Sequence, residues 1–196
     1  MPTTSNSHHE AFGRRAFGGL AAGMMAAPYL SWAQGRAGVT VFYVAVGAEL
    51  LRYATDDQAL TLTKQAVTRM PEAVQYIWLH PRLPLMYVAF SNRYTVKGGD
   101  RHGVAVFAVD RQTGGLAPAG APLIVPNRPV NITLDLAGDY MLLAYNIPSA
   151  LTVHRLQPDG AIGDMVQQAE PIDAGVYAHQ VRVAPSGGLV VLPTRG

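Results

Sequence analysis

The chain has 196 residues, 49% hydrophobic and 14% charged, a composition that suits one ordinary globular domain. A formal net charge of only +2, with the Arg residues scattered rather than in a run, argues against a nucleic-acid-binding surface. The absence of cysteine excludes disulfides, thiolate metal sites and a Cys nucleophile.

Residues 1–34 read as a targeting segment to be set apart from the fold. A polar start leads to Gly13-Arg14-Arg15-Ala16-Phe17 and then to an uncharged stretch, Ala16 to Gly35, rich in Ala, Gly and Met. Pro28 interrupts that stretch, and Ser31-Trp32-Ala33 supplies the small residues of a cleavage site. Paired arginines ahead of a weakly hydrophobic core resemble a bacterial twin-arginine export signal. A Sec signal is the alternative, although its core is usually more apolar. A membrane span needs about 20 strongly apolar residues, which this Gly-rich stretch does not supply, so no stable membrane anchor is expected. The expected partner of the leader is the twin-arginine export machinery, which carries proteins already folded, and the expected destination is periplasmic or secreted. His8, His9 and Glu10 have the chemistry of a metal cluster but fall inside this segment.

Residues 35–196 form the expected folded domain, and in it no helical period is sustained. Short runs rich in β-branched and aromatic residues alternate with turn residues instead. The predicted strands begin with Val39 to Val46, Leu51 to Ala54 and Leu60 to Val67. A group of four follows: Val74 to Leu79, Leu85 to Phe90, Val104 to Val109 and Leu123 to Val125, with Asp110-Arg111-Gln112-Thr113-Gly114-Gly115 as a hairpin signal. A second group of four comprises Asn131 to Leu136, Tyr140 to Tyr145, Leu151 to Leu156 and Val166 to Ala169. The last two predicted strands are His179 to Ala184 and Leu189 to Leu192.

One unit recurs within this series, starting at Gln75, Asn131 and His179, and the third copy stops at Gly196. In each copy a polar residue opens a short strand, a tight turn with Pro or Gly follows, and an apolar strand returns. Starts roughly 50 residues apart have the size of a propeller blade. The expected fold is therefore all-β: four-stranded antiparallel β-propeller blades in an incomplete ring, since propellers close with four to eight blades. A β-sandwich is the alternative.

Met86-Tyr87-Val88-Ala89-Phe90-Ser91-Asn92, then Gly103-Val104-Ala105-Val106-Phe107-Ala108-Val109-Asp110 with its Thr-Gly-Gly turn, resemble the seven-bladed lactonase family. That family is typified by the propeller form of 6-phosphogluconolactonase. Leu143-Ala144-Tyr145-Asn146 ahead of Leu151-Thr152-Val153-His154-Arg155-Leu156 is similar to the same pattern, as is Ala178-His179 ahead of Val183-Ala184-Pro185-Ser186-Gly187-Gly188. The resemblance spans about residues 39–196 and implies an N-terminal portion of about three of seven blades. It implies hydrolysis of a sugar lactone to its acid by base-assisted attack of water; no cofactor is expected, and no residue is assigned to a metal. His179 matches the family's histidine. The chain departs from the pattern at Tyr177, where a second His is usual, and at Thr194-Arg195-Gly196, where Asp-Leu-Gly is common. A non-catalytic propeller that binds a ligand or protein, or an inactive truncated fragment, are the competing expectations.

Aligning the three copies places Gln75, Asn131 and His179 at equivalent positions around one mouth of the channel. His179 is the expected catalytic base, because a side chain with a pKa near neutrality suits proton abstraction from water. Asn131 and Gln75 are expected to bind substrate, with Arg128 supplying positive charge to an oxyanion. Arg182 ranks below Arg128, since strand alternation puts it on the face opposite His179. Turn formation is the expected role of Asn92 and Asn146. His80, His102 and His154 lack metal-ligand spacing and are expected on the surface or in strand pairing.

Overall fold

The computed structural model describes residues 40–56 and 58–196, and the leader lies outside them. The described residues form fourteen strands: β1 Thr40–Val46, β2 Glu49–Asp56, β3 Thr61–Arg69, β4 Val74–Leu79, β5 Leu85–Ser91, β6 His102–Val109, β7 Leu116–Pro118, β8 Leu123–Val125, β9 Pro129–Leu134, β10 Tyr140–Asn146, β11 Ser149–Leu156, β12 Ile162–Met165, β13 Arg182–Val183 and β14 Val190–Val191. They form four antiparallel sheets in chain order: β1-β2-β3, then β4-β5-β6 with β7 and β8 on its outer edge, then β9-β10-β11-β12, then β13-β14. The architecture is all-β, a set of propeller blades without a closed ring. No helix long and apolar enough to cross a membrane occurs among the described residues.

The middle strands dictate how the sheets stack. Successive strand residues point to opposite faces, and in β5 and β10 both faces are apolar. Met86, Val88 and Phe90 of β5 pack with Leu50 and Met70 against the first sheet. Tyr87 and Ala89 of the same strand pack with Met141, Leu143 and Tyr145 of β10. The other face of β10, Leu142 and Ala144, packs with Val181 at the fourth sheet. Each interface is a dry core between neighbouring blades, and each fully buried large side chain contributes roughly 1.5–3 kcal/mol.

A repeated tyrosine tie crosses these interfaces. Tyr43 of β1 donates to the Gly114 carbonyl in the β6–β7 turn of the next sheet. Tyr87 of β5 donates to the Gly160 carbonyl in the β11–β12 turn of the sheet after that, at 2.6 Å. Both turns require a left-handed glycine, Gly114 at φ +68 and Gly160 at φ +85. Asp56 and Asp110 also correspond, each accepting two backbone N–H bonds in the turn after its strand. With Tyr43 matching Tyr87 and Asp56 matching Asp110, β1, β2 and β3 are the counterparts of the second, third and fourth strands of the later blades.

Several strand boundaries depart from expectation. The outer edge of the second sheet is split, β7 pairing with Phe107–Val109 and β8 with His102–Val104. Pro118 at the end of β7 and Pro122 just before β8 cannot donate to a continuous ladder, so the edge divides into two short strands. The outer strand of the third sheet is Ile162–Met165 rather than Val166–Ala169, because it forms directly after the tight Asp159-Gly160 turn. The expected strand from His179 to Ala184 shrinks to Arg182–Val183.

His80, His102 and His154 are buried rather than on the surface, while His102 and His154 do lie in paired strands, β6 and β11. His80 and Asp135 occupy the same place in successive blades, directly after the first strand, and each caps the following turn. His80 Nδ1 accepts the N–H groups of Arg82 and Leu83, both at 3.0 Å, and Nε2 faces the Gly138 carbonyl at 3.1 Å. Asp135 accepts from Ala137, Asp139 and Tyr140. Gly138, at φ +73, leaves room for the imidazole: a Cβ there would lie 2.5 Å from His80 Cε1. His102 pairs through Nδ1 with the Ser91 hydroxyl at 2.9 Å.

Two predictions follow from these contacts. Tyr87→Phe strands the Gly160 carbonyl in a buried interface and should cost about 1–2 kcal/mol by urea denaturation. Tyr43→Phe, at a half-buried tie, should cost less. Burial also holds the pKa of His80, His102 and His154 below the ordinary histidine value. The folded state therefore resists protons that the unfolded chain accepts, so this contribution is complete above about pH 6.5 and is lost as pH falls below it. The urea midpoint should drop between about pH 7.5 and 5.5, and an unchanged midpoint would contradict this account.

Candidate functional site

The first strands of the second, third and fourth sheets, β4, β9 and β13, all start at one end of the blades. The loop after β5 and the tight turn after β10 lie at that same end. Arg128, just before β9, is the centre of the polar contacts there. Its Nη1 donates to Gln75 Oε1 at 3.0 Å and its Nη2 to Asn146 Oδ1 at 3.4 Å. Its guanidinium also lies 4.5 Å from the centroid of the Tyr94 ring. Gln75, at the start of β4, is fixed in turn by donating to the Ala73 carbonyl at 3.1 Å. One arginine thus joins the second and third blades through two amides and an aromatic ring.

The loop that carries Tyr94 is shaped by Asn92. Its side-chain oxygen accepts from Arg101 N–H at 2.9 Å, and its carbonyl accepts from Thr95 and Val96. The turn role expected of Asn92 fits this geometry, whereas Asn146 faces Arg128 instead. The described ion pairs engage Arg69 with Glu49, Arg82 with Asp139 and Arg101 with Glu72. Arg128 pairs with no carboxylate among the described residues, so its charge is left for an incoming anion or a developing oxyanion. No group of His, Asp and Glu suited to a metal ion occurs among the described residues.

Strand register corrects the alignment of the three copies by one residue. Tyr76 pairs with Ala89 and Leu79 with Met86, just as Asn131 pairs with Ala144 and Leu134 with Met141. Asn131 is therefore the counterpart of Tyr76, and Val130 that of Gln75. In the fourth sheet Val183 pairs with Val190 across an equivalent turn, which makes His179 the counterpart of Gln75. A slip of one residue moves a side chain to the other face of its strand. Asn131 accordingly leaves the Arg128 cluster and is almost fully buried.

There Asn131 Oδ1 accepts the Val181 N–H at 2.9 Å and lies 3.5 Å from Arg182 Nη1. Arg182 Nη2 donates to the Tyr76 hydroxyl at 2.6 Å, and its guanidinium rests 4.5 Å from the Trp78 ring centroid. Arg182 belongs to the fourth sheet and Tyr76 and Trp78 to the second, so this contact crosses the inner surface to which the first strands of the blades converge. Sequence reasoning ranked Arg182 low because it counted alternation from His179. His179 lies outside β13, so there was no strand over which to count. The usable signal was the matched turn, which puts Arg182 level with Trp78.

His179 sits exposed in the segment leading into β13, its N–H donating to the Pro193 carbonyl at 3.0 Å. Tyr177, two residues earlier, holds a left-handed backbone at φ +53, uncommon for a non-glycine. His179 shares its end of the blades with Gln75 and Arg128, and Asn131 fixes the chain two residues beyond it.

Asn131→Ala should cost about 1–3 kcal/mol, because the buried Val181 N–H loses its acceptor. Gln75→Ala, at a half-buried position, should cost less than half as much. Equal costs in chemical denaturation would remove the distinction drawn between the two sites.

Residues 39–196 match a family model described as lactonase, seven-bladed beta-propeller. A search of curated protein sequences gave no match. Among solved structures, the chain is similar to the periplasmic gluconolactonase of Pseudomonas aeruginosa, with 18% identity and a TM-score of 0.64 over 79% of this chain and 47% of that one. It is also similar to a Lactobacillus plantarum protein, with 17% identity and a TM-score of 0.60 over 80% of this chain and 48% of that one. The chain thus spans about half the length of these structures. At such identities the likeness shows the fold.

Proposed function

The chain belongs to the seven-bladed β-propeller lactonase family, and from that premise we propose that it hydrolyses a sugar lactone to its acid. The observation that carries the reading is Arg128, held between two blades by Gln75 and Asn146 with no described carboxylate partner, at the end where His179 is exposed.

In this reading the neutral imidazole of His179 takes a proton from water as the water oxygen attacks the lactone carbonyl. Charge gathers on the carbonyl oxygen, and Arg128 stabilises it through N–H groups already oriented by its amide partners. Collapse of the intermediate breaks the ring C–O bond, and the departing alkoxide takes the proton held by His179, giving the hydroxy acid and restoring the base. Gln75 orients Arg128 and borders the substrate. Asn131 acts at a distance, by fixing the backbone at Val181 and with it the segment that bears His179. Neither step calls for a cofactor.

We place the substrate outside the cytoplasm. The paired Arg14 and Arg15 and the periplasmic description of the Pseudomonas neighbour both favour an extracytoplasmic site, reached through the twin-arginine machinery.

The test is hydrolysis of gluconolactone and phosphogluconolactone by the full chain and by His179→Ala. The variant should lose about 10²–10⁴-fold in kcat/KM while keeping its urea midpoint. Wild-type turnover no faster than spontaneous hydrolysis would overturn the enzymatic reading and leave a ligand-binding propeller. Full activity in His179→Ala would remove His179 as the base.

A further inference from the structure

The Arg182 cluster on the inner surface is separate from the Arg128 cluster, and Arg182 itself has no part in the reaction just described. Its arginine is locked in place. Nη2 donates to Tyr76 Oη at 2.6 Å, Nη1 donates to the Val181 carbonyl at 3.2 Å, and Nη1 also faces Asn131 Oδ1 at 3.5 Å. The Trp78 ring supports the guanidinium plane at 4.5 Å. Few rotamers remain to be lost when a ligand binds, so the site is preorganised.

The pattern of occupied donors defines what is left. A guanidinium has five N–H donors in a rigid fork. The described bonds all run from Nη1 and Nη2, and none runs from the Nε–H. The Nε–H shares one edge of the fork with an Nη2–H, the edge that grips both oxygens of a carboxylate. Arg182 has no carboxylate partner among the described residues, and it is half-buried, where its charge is less screened than in open water. Asn131 Nδ2, in the same cluster, is buried without a hydrogen-bond partner, a second donor that lacks an acceptor.

We propose that Arg182, stacked on Trp78 and tied to Tyr76, is a binding site for a small organic carboxylate on the inner surface of the blades. A planar two-oxygen anion fits one free edge beside an aromatic face. The proposal concerns binding and stands whether or not the chain turns over a lactone.

The probe is gluconate, with sorbitol as a polyol of similar size that lacks the carboxylate, titrated calorimetrically into the full chain. Gluconate should bind saturably and sorbitol should not. Arg182→Lys keeps the charge but loses the fork, and should weaken gluconate binding by about 10- to 100-fold; Arg182→Gln should weaken it further. In a Trp32→Phe background, Trp78 emission should change on gluconate addition and stay constant with sorbitol, a readout that needs no Arg182 variant to fold. Absence of saturable gluconate binding, equal binding of sorbitol, an unchanged Kd in Arg182→Lys, or silent Trp78 emission would each overturn the proposal. Lactone turnover enters none of these readouts, so a failed hydrolysis assay leaves the result interpretable.

Discussion

The structure depends on middle strands that are apolar on both faces. A strand such as Leu85–Ser91 cannot leave either face in water, because Met86, Val88 and Phe90 point one way while Tyr87 and Ala89 point the other. It must lie in a sheet covered by sheets on both sides. The same holds for Tyr140–Asn146, with Met141 and Leu143 on one face and Leu142 and Ala144 on the other. Stacking of blades is the solution that satisfies every such strand in a chain whose connections are short hairpins. The hydrogen bonds from Tyr43 and Tyr87 then set the orientation of neighbouring blades, since each ties a strand to a turn of the next sheet.

That stacking leaves polar chemistry at the inner strands and their ends. β4 is half-buried and β13 is short, whereas β9 is largely buried and packs against β4, β5 and β13. Arg128 and Arg182 occupy this region in different ways. The first is held by amides and an exposed tyrosine at the end of the blades. The second is held against Trp78 and Tyr76, with Asn131 between them. Both are oriented by neutral partners, which fixes geometry while leaving the charge available. An arginine paired with a carboxylate, as Arg82 is with Asp139 at 2.7 Å, has that charge already answered.

The fold was legible in the sequence where the signal was local. Continuous apolar runs between turn residues marked the middle strands, and Asp-x-x-Thr-Gly-Gly marked a hairpin. Outer strands were less legible. Pro118 and Pro122 split one edge, and the third blade's edge formed four residues earlier than the expected Val166–Ala169, because edge strands are set by the turn they follow. The candidate site was legible in part. Gln75 and Arg128 come together, whereas Asn131 was displaced by a one-residue slip that only cross-strand pairing could detect. Arg182, Tyr76 and Trp78 carried no motif, since their contact joins blades separated by a third.

The sequence by itself determined the all-β class, the repeat and the family resemblance, because side-chain alternation and turn chemistry act over a few residues. Tertiary structure decided register, and with it which side chains share a face. It also decided that His80, His102 and His154 are buried and which arginines lack a carboxylate. Those properties depend on distances between residues as far apart as Tyr76 and Arg182, and no local pattern encodes them.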